Sequence, residues 1–534
     1  RSSAATSDLR FGKRSSAATS ALSTTFRSEI EIEVIQNIAT RTHSTDWDEI
    51  REGLGINDEN GHAVTPFYSP PVQRQRYGDD KILPHVGWGD LFFDLFFVGA
   101  AYNLGVLLKT CIGADHQLRS SIYFLGSLGP LWACWDSETF YQSRYLTIDY
   151  CHRITEVLRY IFVASAIFNI TRFQDYRDPL NANVLIYTLA MMLEQMMQLA
   201  LRVELYFKGL GDEIPIKNHS LYEITFRKLP FLGIYIAAFV AAVISYSRAF
   251  EIIDREDWDL NDLPMTLTAI IYVLELFFEF SWYFGHNFVK NKDVRTYFVP
   301  VNVDYLIKRY SEFVLLMLGE CFISLLGIGQ TIVSEDYYMV VFFGVVTVIW
   351  LLFLLIECEP SDAQAHALWG SRWNTVCYFF LIQIITICLI GLGASFKVFL
   401  HEEIAENTEG WHEEQDYEDI QTTIFAIALS LVVVSLELLY LCHTGIKGAV
   451  GHLFQHTDDG RRELSWPIFI VSLVKLGIFL CCFTLSRWIR EAEYIVPAGC
   501  VIVIALSVTR VVASVLLRQK ALSSGRRQNN LGNL

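Results

Sequence analysis

Charge is what this sequence is short of. Of its 534 residues only 19% are Asp, Glu, Lys or Arg, and 52% are hydrophobic. A soluble chain of this size carries about a quarter charged residues, so an ordinary soluble domain is excluded. The eleven cysteines show no CxxC spacing and, apart from the adjacent Cys481–Cys482, stand singly. That excludes a disulfide framework and reads as small apolar packing residues. HExxH, GxSxG, the P-loop and GxGxxG are all missing, so the expectation is no enzyme and no cofactor. His85, His152 and His286 are separated and lack ligand spacing, and no metal site is expected from them. The net charge of −16 argues against nucleic acid as a partner. No cleavable signal peptide is visible in a sequence that starts at Arg1.

What fills the chain instead is apolar runs, each near the roughly 20 residues needed to cross a bilayer. Twelve are expected, at about 88–109, 120–141, 154–172, 182–203, 229–249, 264–288, 311–333, 337–357, 374–400, 421–444, 466–486 and 493–517. Lys and Arg gather in the segments that this arrangement places inside, which predicts both termini in the cytosol. The expected fold class is all-α, a polytopic membrane helical bundle with the lipid bilayer as its principal partner.

Residues 1–86 read as a disordered, polar cytosolic tail: RSSAATS occurs at 1–7 and again at 14–20, and SPPVQRQRYGDD (69–80) reads as a linker. Within it, 28–38 is expected as a short strand or helix. Residues 87–518 form the transmembrane domain, with acid-rich helices in 88–333, and 519–534 a basic cytosolic tail suited to an anionic leaflet.

The chemistry lies in charges that a bilayer should exclude. One at mid-membrane costs at least about 2.5–3.5 kcal/mol on insertion scales, so it faces the bundle interior and needs a partner. WGDLFFDLFFVGAAYNLG (88–105) carries Asp90 and Asp94 four apart, on one helix face. VLELFFEFSWYFGHN (273–287) repeats the pattern with Glu275 and Glu279, and His286 follows on the same stripe. RYSEFVLLMLGECFISLLGIG (309–329) carries Arg309, Glu312 and the deep Glu320, with Gly319, Gly327 and Gly329 expected to let a neighbouring helix approach. Glu194, Gln198 and Arg202 form another polar stripe. Glu437, Lys475 and Arg510 read as an interhelical ion-pair set that holds the bundle together.

Two readings of the acids stand side by side. They bind protons or small cations, with Asp94 and Glu320 deepest, Asp90, Glu275, Glu279 and His286 as relays and Arg144 and Arg309 as tuning charges. Or they are structural partners of Arg144, Arg153 and Arg309.

At these residues the sequence resembles the low temperature requirement protein A family. GDLFFDLFFV (89–98) is similar to that family's first-helix signature ELFFDLVFV. WACWDSETFYQSRYLTIDYCHRI (132–154) is similar to its Trp/Tyr-rich second helix and following Arg–Asp–Arg segment, here Arg144, Asp149 and Arg153. KRYSEFVLLMLGE (308–320) is similar to ERFGLxxIIxLGE, departing from it at Lys308 and at Ser311–Glu312. The blocks cover about 88–330, and later spans match in hydropathy only. The resemblance implies a multi-span membrane protein of a family named for growth in the cold, with no agreed substrate. The function expected is a proton- or cation-coupled transporter or proton-conducting channel, the alternative a membrane-state or cold-response sensor or scaffold without transport.

Overall fold

Lipid offers a backbone no hydrogen bonds, so long apolar runs close their own as helices. The computed structural model describes residues 65–74, 88–112, 117–147, 149–170, 182–208, 214–248, 262–285, 299–326, 335–360, 363–405, 414–444, 454–456, 462–489 and 491–531. The helices are α1 Trp88–Ile112, α2 Gln117–Arg144, α3 Tyr150–Ile170, α4 Ala182–Lys208, α5 Ile214–Tyr222, α6 Leu229–Arg248, α7 Leu263–Gly285, α8 Val303–Leu326, α9 Glu335–Cys358, α10 Arg372–Ala405, α11 Glu414–Thr444, α12 Trp466–Phe483, α13 Leu485–Trp488 and α14 Ala492–Leu531. A π-helical stretch, Glu223–Lys228, joins α5 to α6. The segment expected at 28–38 lies outside the described residues.

Each of the twelve expected spans falls on a helix. Among the described residues, eight helices are long and apolar enough to cross a membrane. The expected spans that miss this criterion lie on α2, α3, α7 and α8: α7 is apolar but counts over the shorter stretch Leu263–Phe277, and the other three carry buried charges, Asp136 and Glu138, Arg159, and Arg309 with Glu320. Ile470, Leu473, Val474, Leu476 and Leu480 of α12 are exposed and apolar, as are Val501, Val508, Val511 and Val515 of α14. Such a surface belongs against lipid tails, and this is an integral membrane protein.

The chain divides into two compact units, Arg1–Ser69 with Ile148–Arg153, and Pro70–Thr147 with Ile154–Leu534. In the first, the amides of Tyr150 and Cys151 donate to the carbonyls of Pro66 and Phe67. Asp149 caps the start of α3, accepting from the His152 amide at 2.7 Å, and its other oxygen lies 2.7 Å from His152 Nδ1. In the second, α10 is the central helix, packed on α1, α8, α9 and α11. Short strands β1 (Val72–Gln73) and β2 (Tyr145–Leu146) pair antiparallel, as do β3 (Phe454–His456) and β4 (Arg462–Leu464).

Two local solutions fix α2. Pro130 lies inside it and has no N–H to give the carbonyl four residues back, that of Gly126. The Tyr187 hydroxyl of α4 offers a donor there, shared between the Gly126 carbonyl at 3.1 Å and the Ser127 carbonyl at 2.9 Å. Gly129 lets α7 approach: a Cβ there would lie 2.3 Å from Tyr272 Cβ.

Candidate functional site

α1 and α8 meet residue for residue. Asp90 accepts from the Tyr305 hydroxyl at 3.1 Å, and Asp94 takes both Nη atoms of Arg309 at 2.7 Å. One turn further, Phe97 meets Phe313. The nearly constant offset means that the two helices run parallel, and the i,i+4 pair Asp90/Asp94 meets the i,i+4 pair Tyr305/Arg309. Trp135 Nε1 donates to Asp94 Oδ1 at 2.8 Å, so that carboxylate holds three donors while fully buried. Charged hydrogen bonds of this kind are the strong ones.

Trp135 opens a run, WDSE (135–138), in which successive residues point around the helix to different neighbours. Asp136 accepts from the Tyr310 hydroxyl of α8 and lies 3.6 Å from Arg227 of the π-helical stretch. Ser137 Oγ accepts from Lys228 at 2.7 Å and from Arg202 at 3.1 Å. Glu138 pairs with Arg159 of α3. Arg159 also holds Glu194 of α4 at 2.7 Å, and Gln198 donates to the same Glu194 oxygen at 2.7 Å. The π-helical stretch adds Glu223, gripped by Arg144 at 3.1 Å, Arg202 at 3.2 Å and His219 at 3.3 Å.

Deeper along α8, Glu320 binds Lys397 of α10 at 2.8 Å and Ser324 at 2.7 Å. Lys397 sits over the Tyr102 ring, 3.8 Å from its centroid. Gly393 makes room: a Cβ there would stand 2.6 Å from Glu320 Oε2. Gly319 was expected to provide close approach on this helix, but it has nothing within 4 Å, so the tight contact comes from the facing helix instead. Gly327 and Gly329 lie outside the described residues.

The expected site residues therefore separate. Asp90, Asp94 and Arg309 come together; Arg144 belongs to the Glu223 cluster; Glu320 has its own lysine. Arg153, expected as a charge partner, has an exposed side chain at the first turn of α3, and the buried arginine of that helix is Arg159, nearly two turns on. Glu275 is buried yet hydrogen bonds to none of the described residues; its charged neighbours are Arg227, Lys228, Asp136 and Glu194. For Glu279 only the backbone is described, and His286 lies outside the described residues. Glu437 binds both Lys475, at 3.1 Å, and Arg510, which joins α11, α12 and α14. Among the described residues no group of three or more His, Cys, Asp or Glu is placed to hold a metal ion.

Sequence reasoning passed over Asp136, Glu138, Arg159, Glu223, Lys228, Tyr305 and Lys397. Lys397, a lone cation in GLGASFKVFL, obeys the criterion that singled out Lys475 and was findable by it. Glu223 and Lys228 were not, because they were read as loop.

The WDSE hub and the Asp94–Arg309 clamp fall on the blocks similar to the low temperature requirement signatures. The family model described as bacterial low temperature requirement A protein (LtrA) matches residues 85–518. The chain belongs to the LtrA family. The match runs through α14, well past residue 330, so the later helices of this LtrA chain are family structure too. Of its departures at Lys308 and Ser311–Glu312, Glu312 lies at the edge of the clamp, 4.0 Å from Arg309 Nη1. Lys308 is half exposed and 3.9 Å from Glu312, while Ser311 bonds to Glu359 beyond the end of α9. No curated protein and no solved structure matches this LtrA chain.

Proposed function

We propose that this LtrA-family protein is a proton- or cation-coupled membrane transporter, non-enzymatic, with twelve membrane spans and both termini in the cytosol. Glu275 is its ion-binding carboxylate. One observation carries the assignment: Glu275 is buried, faces Lys228 and Arg227 without forming an ion pair, and bonds to none of the described residues. A buried charge in that state needs a proton or a cation. Asp94 and Glu320, the deepest acids in sequence, already hold Arg309 and Lys397 and are not left to bind an ion.

The test uses the purified protein in liposomes with an internal pH dye and an imposed potassium diffusion potential. Proton flux is expected in the wild type and is lost in Glu275→Gln. Flux retained at wild-type rate in that variant rejects the assignment.

A second reading, a membrane-state sensor or scaffold without transport, draws on a different observation. Asp94, Glu194, Glu223, Glu320 and Glu437 each bind a cation on another element, which is how a structural network is built. Its mark is a protein that carries no ion in liposomes while its carboxylate variants lose stability.

A further inference from the structure

The π-helical stretch between α5 and α6 brings Lys228 beside two arginines, Arg144 and Arg202, that share the one carboxylate of Glu223. Glu223 and Lys228 are five residues apart, the repeat of a π-helix, and share its buried face. On an α-helix the same spacing would turn them to different faces. Around them stand Arg144 and Arg202, both on the Glu223 carboxylate. Lys228 makes no ion pair among the described residues. It donates to Ser137 Oγ at 2.7 Å and to Gln198, and Arg202 donates to the same Ser137 oxygen at 3.1 Å. Two cations thus converge on one neutral hydroxyl, Arg202 paired with Glu223 and Lys228 facing Glu275 without bonding it.

Donors are in surplus as well. Arg144 Nε, Arg202 Nη1 and the Tyr141 hydroxyl are buried and have no acceptor. Glu223 is already shared, with one oxygen facing Arg144 and His219 and the other facing Arg202. A buried donor left unmet is destabilising, more so when charged.

We propose that Arg144, Arg202 and Lys228, with Tyr141, form a binding site for a small oxyanion, a carboxylate or phosphate group. Guanidinium forks match the paired oxygens of such groups, and the ammonium adds a point charge. Glu223 is the internal carboxylate of the same cradle: it holds the arginines together when the site is empty and competes with the incoming anion. Lys228 also faces Glu275, so the two sites share one charge, but binding is measured without transport and its outcome is read separately from that of the flux test.

The experiment follows the thermal unfolding of the full chain in detergent against sodium phosphate and, separately, sodium acetate, with sodium chloride at matched ionic strength as reference. A saturable rise in Tm with phosphate or acetate over chloride is expected in the wild type, following the binding linkage. Glu223→Gln, which removes the competing carboxylate, is expected to saturate at a concentration about tenfold lower, the effect of about 1.4 kcal/mol in binding. Arg144→Gln with Arg202→Gln is expected to abolish the response. No saturable rise in either the wild type or Glu223→Gln overturns the proposal. So does an undiminished rise in the double arginine variant, since the anion then binds elsewhere.

Discussion

Arg309 of α8 grips Asp94 of α1 through two bonds of 2.7 Å, and both side chains are shut away from solvent and lipid. Two ions removed from water repay that cost only in close geometry with further hydrogen bonds, and the Trp135 indole supplies one here. Breaking such a pair on one side leaves a bare charge, while removing both sides does not.

Asp94→Asn or Arg309→Gln alone is therefore expected to cost about 3–5 kcal/mol of stability, and the double variant less than the sum of the two. Unfolding of the detergent-solubilised protein, arranged as a double-mutant cycle, measures the coupling. Additive losses would show that the two charges act separately.

Gly393→Ala places a methyl 2.6 Å from Glu320 Oε2 and is expected to push the carboxylate off Lys397, lowering Tm by several degrees. Gly319→Ala, one residue from that glutamate but facing open space, should be neutral or stabilising by up to about 1 kcal/mol from helix propensity. The contrast between the two glycines is the measurement. An equal effect at both positions would mean that the approach of α10 to α8 is looser than described.

Tyr187→Phe withdraws the donor shared by the Gly126 and Ser127 carbonyls beneath Pro130. The expected loss is about 1–3 kcal/mol, for a buried acceptor left unmet. With Pro130→Ala in the same chain the helix regains its own N–H donor, and the loss should shrink. Comparing the two backgrounds by thermal unfolding checks this.

His366, between α9 and α10, is buried beside His443 and Tyr378, and burial pushes its imidazole down to about 3. Its Nδ1 accepts the Leu368 amide at 3.2 Å, a bond that protonation there would remove. The unfolded chain takes up a proton near pH 6.5 and the folded one does not. This residue's contribution is therefore whole above about pH 6.5 and declines as pH falls towards 3. Tm followed from pH 7.5 to 4.5 should fall less steeply in His366→Gln than in the wild type. Parallel curves would contradict the assignment.

How much of this was legible beforehand divides along a physical line. Membrane character and the positions of the long helices follow from composition and run length, because lipid imposes one requirement on every residue of a span. Asp90, Asp94, Arg309 and Glu320 were found for the same reason: a charge in an apolar run is visible one residue at a time. Their partners were not. Lys397 is 77 residues from Glu320 in sequence, and Arg309 is 215 from Asp94. Nothing local records which face of which helix will meet them.

The sequence by itself determined that this chain lives in a bilayer and that its interior is charged. Only the tertiary structure decided which charges cancel. Asp94 and Glu275 belong to near-identical acidic pairs, Asp90/Asp94 in GDLFFDL and Glu275/Glu279 in LELFFEF, and local reading treats the two pairs alike. One is clamped by an arginine and an indole, and the other is buried among cations that do not reach it. The difference lies in the distances between helices, which pairing energy in a low dielectric makes decisive and hydropathy does not encode.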